Sequence, residues 1–241
     1  MKKILLIIAI PYFLLAGFKF QISKIPTKIA KEMIKKGSWR EGCPVELYDL
    51  RYIEMSYWDF KGKRQTGKMV VHKSVANDVV EIFGDLYSSR YPINQMRLIE
   101  DYDASDFQSI EADNTSAFNC RRATGSKKWS NHSYGKAIDI NPIENPYISK
   151  SGHISHKKSL PYRKRIHRDK KASSRAIIRR DSRITRLFKA KGWKWGGDWR
   201  TIKDYQHFEK SVKNRSIGSP KPKYIPLKHK KPAEATSQNL Y

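Results

Sequence analysis

The hydrophobic pattern divides the chain into stretches of different character. Met1-Lys2-Lys3 is a short positive start, and Ile4 to Phe18 is almost wholly apolar. A basic start followed by an apolar run is the layout of an export signal. The run falls short of the roughly 20 residues that a membrane span needs. No small-x-small cleavage site stands out near Ala16 and Gly17, so an uncleaved anchor stays open. Residues 1–20 are therefore expected to be a signal peptide or N-terminal anchor, and 21–37 a basic linker that can be helical. Leu50 to Phe60 is rich in β-formers, Lys61-Gly62-Lys63 can turn, and Lys68 to Val71 can return, which predicts a hairpin. Ser74 is expected to cap a helix running to about Ser89, with Val75, Val79, Ile82, Phe83 and Leu86 on one side and Pro92 beyond its end. Gln95 to Glu100 reads as a strand. Asp101 to Ala117 is acidic and polar and reads as a loop. Asp181 or Ser182 is expected to cap a further helix through Ile184, Leu187 and Phe188, ended by Gly192.

Composition sharpens this picture. A chain of 241 residues can bury one good core with tails attached. Lys+Arg number 49 and Asp+Glu 23, a net charge of +26. That imbalance predicts attraction to polyanions, whether nucleic acid, anionic lipid or acidic wall polymers, without choosing among them. From Lys150 to Arg183 the chain holds thirteen Lys/Arg and two acids. This basic insertion is expected to be a solvated face, or else a loop that grips an anionic polymer. Its histidines (His153, His156, His167) have cationic neighbours that would repel a metal. Residues 213–241 are basic and Pro-containing and read as a disordered tail. Cys43 and Cys120 are either a single disulfide or two buried thiols.

Candidate chemistry sits in two stretches, 130–142 (SNHSYGKAIDINP) and 192–209 (GWKWGGDWRTIKDYQHFE). Gly135 permits a tight turn. Beyond it, Ala137 and Asp139 share one strand face while Ile138 and Ile140 take the other. In an extended segment His207 and Glu209 face one side and Phe208 the core. Two imidazoles, His132 and His207, with one of the two carboxylates, Asp139 or Asp204 (three residues before His207), would make a three-ligand zinc set that leaves one position for water. The remaining carboxylate could take a proton from that water. Trp193, Trp195 and Trp199, interleaved with Gly196-Gly197, are either a pocket wall or ordinary core aromatics.

Together, Ser130-x-His132-x-x-Gly135-x-Ala137-x-Asp139, then Ile140-Asn141-Pro142, and Trp195-Gly196-Gly197-Asp198-Trp199 leading to Asp204-x-x-His207-Phe208-Glu209 resemble a known family. These are the VanY-like zinc D-alanyl-D-alanine carboxypeptidases and L-alanyl-D-glutamate endopeptidases, which share the Hedgehog/DD-peptidase fold. Weaker echoes are Gly42-Cys43-Pro44, Asp49-Leu50-Arg51-Tyr52 and Phe118-Asn119-Cys120-Arg121. The resemblance implies an α+β domain over residues 38–212, a small antiparallel sheet with flanking helices. It implies one zinc ion per chain on His132, Asp139 and His207. It also implies Asp204 as the catalytic carboxylate and Arg121 as the group that steadies the developing oxyanion, with Arg122 adjacent. Ser130, Trp195 and Trp199 are expected in the substrate pocket. The insertion at about 150–183 and the tail have no counterpart in the family pattern.

The function expected from these residues is zinc-dependent hydrolysis of peptidoglycan peptide stems, with an L-Ala-D-Glu type endopeptidase ahead of a D-alanyl-D-alanine carboxypeptidase. A non-catalytic zinc-containing wall-binding module is the alternative of another class. The expected partners are peptide stems and, through the basic surface, anionic envelope polymers. The membrane would be met only through an uncleaved N-terminus. No nucleic-acid reader motif is present, and a signal-like start argues against that partner. The expected location is the periplasm, cell envelope or exterior.

Overall fold

A computed structural model describes residues 17–166 and 169–211. The tail expected from 213 lies outside the described residues, as does most of the signal segment and His167. The chain opens with β1 (Phe20–Ser23) and helix α1 (Thr27–Lys36), followed by the hairpin of β2 (Leu50–Trp58) and β3 (Arg64–His72). Strands β1, β2 and β3 form one antiparallel sheet, with Phe20 opposite Met55 and Leu50 opposite His72. The segment 21–37, expected as a linker, thus supplies a strand and a helix whose Met33 is fully buried.

The sheet is apolar on both faces, and the period of two sorts its residues. Ile53, Met55, Tyr57, Met69 and Val71 join one core. Leu50, Tyr52 and Val70 join a second with Met33, Phe118 and the two cysteines. Helix α2 (Ala76–Ser88) packs on the first core through Val79, Ile82, Phe83 and Leu86, the spacing that puts four side chains on one helix face. Val75 rather than Ser74 is its N-cap, because Ser74 folds back onto His72 Nδ1 with its amide (3.1 Å) and hydroxyl (2.8 Å).

Beyond α2 the elements are short. Strand β4 (Gln95–Met96) pairs in parallel with β5 (Asn114–Thr115), and α3 (Asp106–Glu111) lies between them. The acidic stretch 101–117, expected as a loop, therefore holds a helix and a strand. Ser105 starts that helix by accepting the Gln108 amide at 3.3 Å. Strand β6 (Ala137–Asp139) is followed by β7 (Tyr147–Ile148), then by α4 (Ala172–Arg175) and α5 (Arg183–Ala190). Ser182 occupies the N-cap position of α5 but makes no capping bond, since its hydroxyl donates to the Arg179 carbonyl at 2.7 Å. The chain closes with β8 (Lys194–Trp195), β9 (Lys203–Asp204) and β10 (His207–Glu209). A second antiparallel sheet runs β6–β10–β8, and β7 pairs with β9. This is an α+β architecture of small antiparallel sheets with flanking helices. Among the described residues no helix is long and apolar enough to cross a membrane.

The basic insertion is more than a solvated face. Ile154, Ala176, Ile177 and Ile178 are buried. The half-buried Arg165 reaches inward to the carbonyls of Glu144 (2.6 Å) and Ile178 (3.0 Å) and to Asn145 Oδ1 (2.5 Å), and lies over the Tyr205 ring. Cys43 and Cys120 form a disulfide, which ties the start of the domain to the residue before Arg121.

Candidate metal centre

Two local devices present the ligands. Ser130 caps a single helical turn, Asn131–Tyr134, by accepting the His132 amide at 3.3 Å. Gly135 ends that turn at φ +63°, and its carbonyl accepts the His72 amide at 2.8 Å. A Cβ there would stand 2.6 Å from His72 N, so only glycine fits. The second device is strand pairing. In the β6–β10 ladder His207 stands opposite Asp139 and Phe208 opposite Ile138. Alternation then sends Ile138 and Phe208 into the core while Asp139 and His207 emerge together on the other face.

All three candidate ligands are buried, and one ligand atom from each lies within 4.8 Å of the others. His132 Nε2 is 3.2 Å from Asp139 Oδ2, His207 Nδ1 is 3.0 Å from Asp139 Oδ1, and the two ring nitrogens are 3.3 Å apart. The outer partners orient the rings. His132 Nδ1 faces the Ala117 carbonyl at 2.6 Å, so that nitrogen carries the hydrogen and Nε2 offers its lone pair inward. His207 Nε2 lies 3.2 Å from Glu209 Oε2, which favours the matching tautomer with Nδ1 inward. Two lone pairs and a carboxylate converging on one point fit a divalent cation with N and O ligands, zinc foremost. Burial works against ionisation of Asp139, but the facing imidazoles hold its carboxyl well below the usual range. Burial likewise disfavours charge on His207, yet its bonds to Asp139 and Glu209 push it up to about 10. Cation binding at these atoms would require both inward ring nitrogens to be free of protons.

The triad opens into a cleft of about 660 Å³. Arg121, Ser130, Trp199, Asp204, Gln206 and Glu209 line it, together with Ile154, Ser155, His156 and Ser159 of the insertion. Asp204, on β9 opposite Tyr147, has its Oδ1 shut off from solvent without a hydrogen-bond partner. Burial pushes this carboxyl up to about 7. Gly196 lies against the Asp204 backbone, since a Cβ there would meet the Asp204 carbonyl oxygen at 2.5 Å. Arg121 is held by Asp106 at 2.9 Å, and its amide donates to Ser133 Oγ at 2.9 Å. Its neighbour Arg122 instead stacks over Trp129 at 3.7 Å.

Of the expected pocket residues, Ser130 and Trp199 line the cleft, and the Trp199 ring is 5.4 Å from that of His207. Trp195 does not. It pairs with Phe208 across β8 and β10, which turns it toward the core, where its Nε1 donates to the Tyr205 carbonyl at 2.9 Å. Sequence reasoning placed Glu209 beside His207 but gave it no role. It also passed over Gln206, the Ala117 carbonyl and the tie between His156 and Glu111 (2.7 Å). Only Glu209 had a local signal, two positions from His207 on one strand face.

No solved structure matches the chain. Residues 124–210, which carry His132, Asp139, Asp204 and His207, match the family model described as D-alanyl-D-alanine carboxypeptidase, so the chain resembles the VanY-like peptidases over that stretch.

Proposed function

We propose that this protein is a zinc-dependent peptidase that hydrolyses peptide stems of bacterial peptidoglycan, cutting an internal bond of the L-Ala-D-Glu type. The observation that carries this reading is the convergence of His132, Asp139 and His207 within 4.8 Å beside a cleft that holds an unpartnered Asp204 oxygen. The family match supports peptidase chemistry, and its description favours a D-alanyl-D-alanine carboxypeptidase as the second reading.

His132, Asp139 and His207 would hold one zinc ion, which when bound supplies a Lewis acid and brings water toward a pKa of about 7. Asp204 takes a proton from the attacking water and returns it to the leaving amine. Arg121 sets a guanidinium in the same cleft, where it can stabilise the carbonyl oxygen as charge develops. Glu209 and the Ala117 carbonyl keep the two rings aimed inward.

Export to the periplasm, envelope or exterior is part of the proposal. A disulfide favours an oxidising compartment, and the +26 charge suits anionic envelope polymers. The test is metal content together with product masses from digested muropeptides. Asp204→Asn is expected to keep the metal and lose about 10²–10⁴-fold in rate. Release of terminal D-alanine alone would establish the second reading. Stoichiometric zinc without any hydrolysis would leave a wall-binding module.

A further inference from the structure

The basic insertion carries a histidine into the cleft. His156 and Ser155, Ile154 and Ser159 around it line the same cavity as the triad. Its ring is fixed from two sides. Nδ1 lies 2.7 Å from Glu111 Oε1, and the ring packs on Phe107 with centroids 4.5 Å apart. Glu111 is itself held by Lys158, whose Nζ donates to the Glu111 carbonyl at 3.0 Å and lies 3.5 Å from its carboxylate. The pairing with a carboxylate makes Nδ1 the hydrogen-bearing nitrogen, so Nε2 remains as the ring's uncommitted polar atom. The arrangement crosses two segments, α3 and the insertion, 45 residues apart. The His156 side chain is 13% exposed, so most of the ring is held by protein.

A surface histidine has no need of a carboxylate orienter and an aromatic shelf. A residue that must present one nitrogen to a bound molecule does. We propose that His156 is a substrate-binding residue: oriented by Glu111 and Phe107, it accepts through Nε2 a hydrogen bond from a backbone amide N–H of the peptide in the cleft and so sets which stem is accepted. The inference rests on the peptidase reading above for the identity of that peptide. It gives the insertion a role in selecting substrate, and makes the segment 154–159 a wall of the site.

The test compares full-length wild type with His156→Ala, His156→Gln and Glu111→Gln, all zinc-loaded, on purified muropeptides. His156→Ala is expected to raise KM about tenfold, the size of one lost hydrogen bond, with kcat and zinc content unchanged. His156→Gln keeps a carbonyl oxygen that can accept near the position of Nε2 and should recover part of the loss. Glu111→Gln should fall between wild type and His156→Ala. A lowered Tm with KM unchanged would reduce His156 to a structural residue and overturn the proposal. If wild type itself cleaves no muropeptide, the peptidase reading fails separately. Muropeptide binding read by the fluorescence of Trp129 and Trp199 then decides this one: weaker binding by His156→Ala upholds it, and equal binding overturns it.

Discussion

His207 stands opposite Asp139 across two three-residue strands, and its Nδ1 lies 3.0 Å from the Asp139 carboxylate. The side chains on the reverse of these strands, Phe208 and Ile138, are completely buried. The same pairing that anchors the strands in the core therefore fixes the separation of the two ligands. A one-residue slip of β10 would send His207 to the core face, so the candidate metal site inherits its precision from core packing.

The aim of the His207 ring depends on Glu209. Glu209 Oε2 lies 3.2 Å from His207 Nε2 and also accepts a bond from Asn131 Nδ2. Glu209→Gln removes the negative charge that favours the metal-binding tautomer while keeping the volume. We expect zinc affinity to fall about 10–100-fold with little change in Tm of the metal-free protein. Competition with a chromophoric chelator measures the affinity. His207→Ala should instead abolish stoichiometric zinc, read by elemental analysis.

Gly196 tests the placement of Asp204 without touching any ligand. A Cβ there would lie 2.5 Å from the Asp204 carbonyl and 2.9 Å from its Cβ. Backbone cannot yield cheaply, so Gly196→Ala should displace β9. We expect a stability loss of about 1–3 kcal/mol from overpacking and a larger proportional loss of hydrolysis, with zinc still bound. Urea titration and metal analysis on the same preparation separate the two effects.

How much of this was legible depends on how far each signal reaches along the chain. The hairpin and α2 announce themselves because their apolar positions repeat within a few residues, as with Val79, Ile82, Phe83 and Leu86. The convergence of Asp139 and His207 was legible because period-two alternation isolates them from apolar neighbours. Trp195 and Trp199 look alike in sequence, and only the pairing of Trp195 with Phe208, thirteen positions away, sends one to the core. In the insertion, charge concealed the buried Ala176-Ile177-Ile178 run and the inward reach of Arg165. The short helix and strand within 101–117 are held by Ser105 and by pairing with Gln95, neither of which leaves a periodic trace.

The Cys43–Cys120 disulfide closes a loop of 77 residues. A loop of that length restricts the unfolded chain enough to contribute about 4 kcal/mol. It joins the segment packed with Met33 and Phe118 to the irregular stretch just before Arg121. Cys43→Ser/Cys120→Ser should lower stability by about 2–4 kcal/mol, measured by urea unfolding with and without reductant. Wild type in reductant should fall toward the double variant, and the double variant should not respond.

A last prediction concerns pH and lies away from the triad. Asp113 and Glu144 are both buried, and Glu144 Oε2 has no partner. Asp113 Oδ1 accepts the Ile143 amide at 3.0 Å, which fixes the loop after β6. Burial, and then the neighbouring Asp113, push Glu144 up to about 9, and burial pushes Asp113 up to about 6. Both folded values stand above the unfolded ones, near 4, so the folded state holds more protons across the window between. Stability from this pair is complete below about pH 4 and is lost as pH rises through 6 and then 9. Between pH 5 and pH 9 stability should therefore fall throughout. Glu144→Gln stays neutral throughout and keeps a hydrogen-bonding group beside Asp113, so its stability should vary less over the same range. Urea midpoints for the two proteins at pH 5, 7 and 9 decide the matter, and parallel pH profiles would show that the pair does not share a proton.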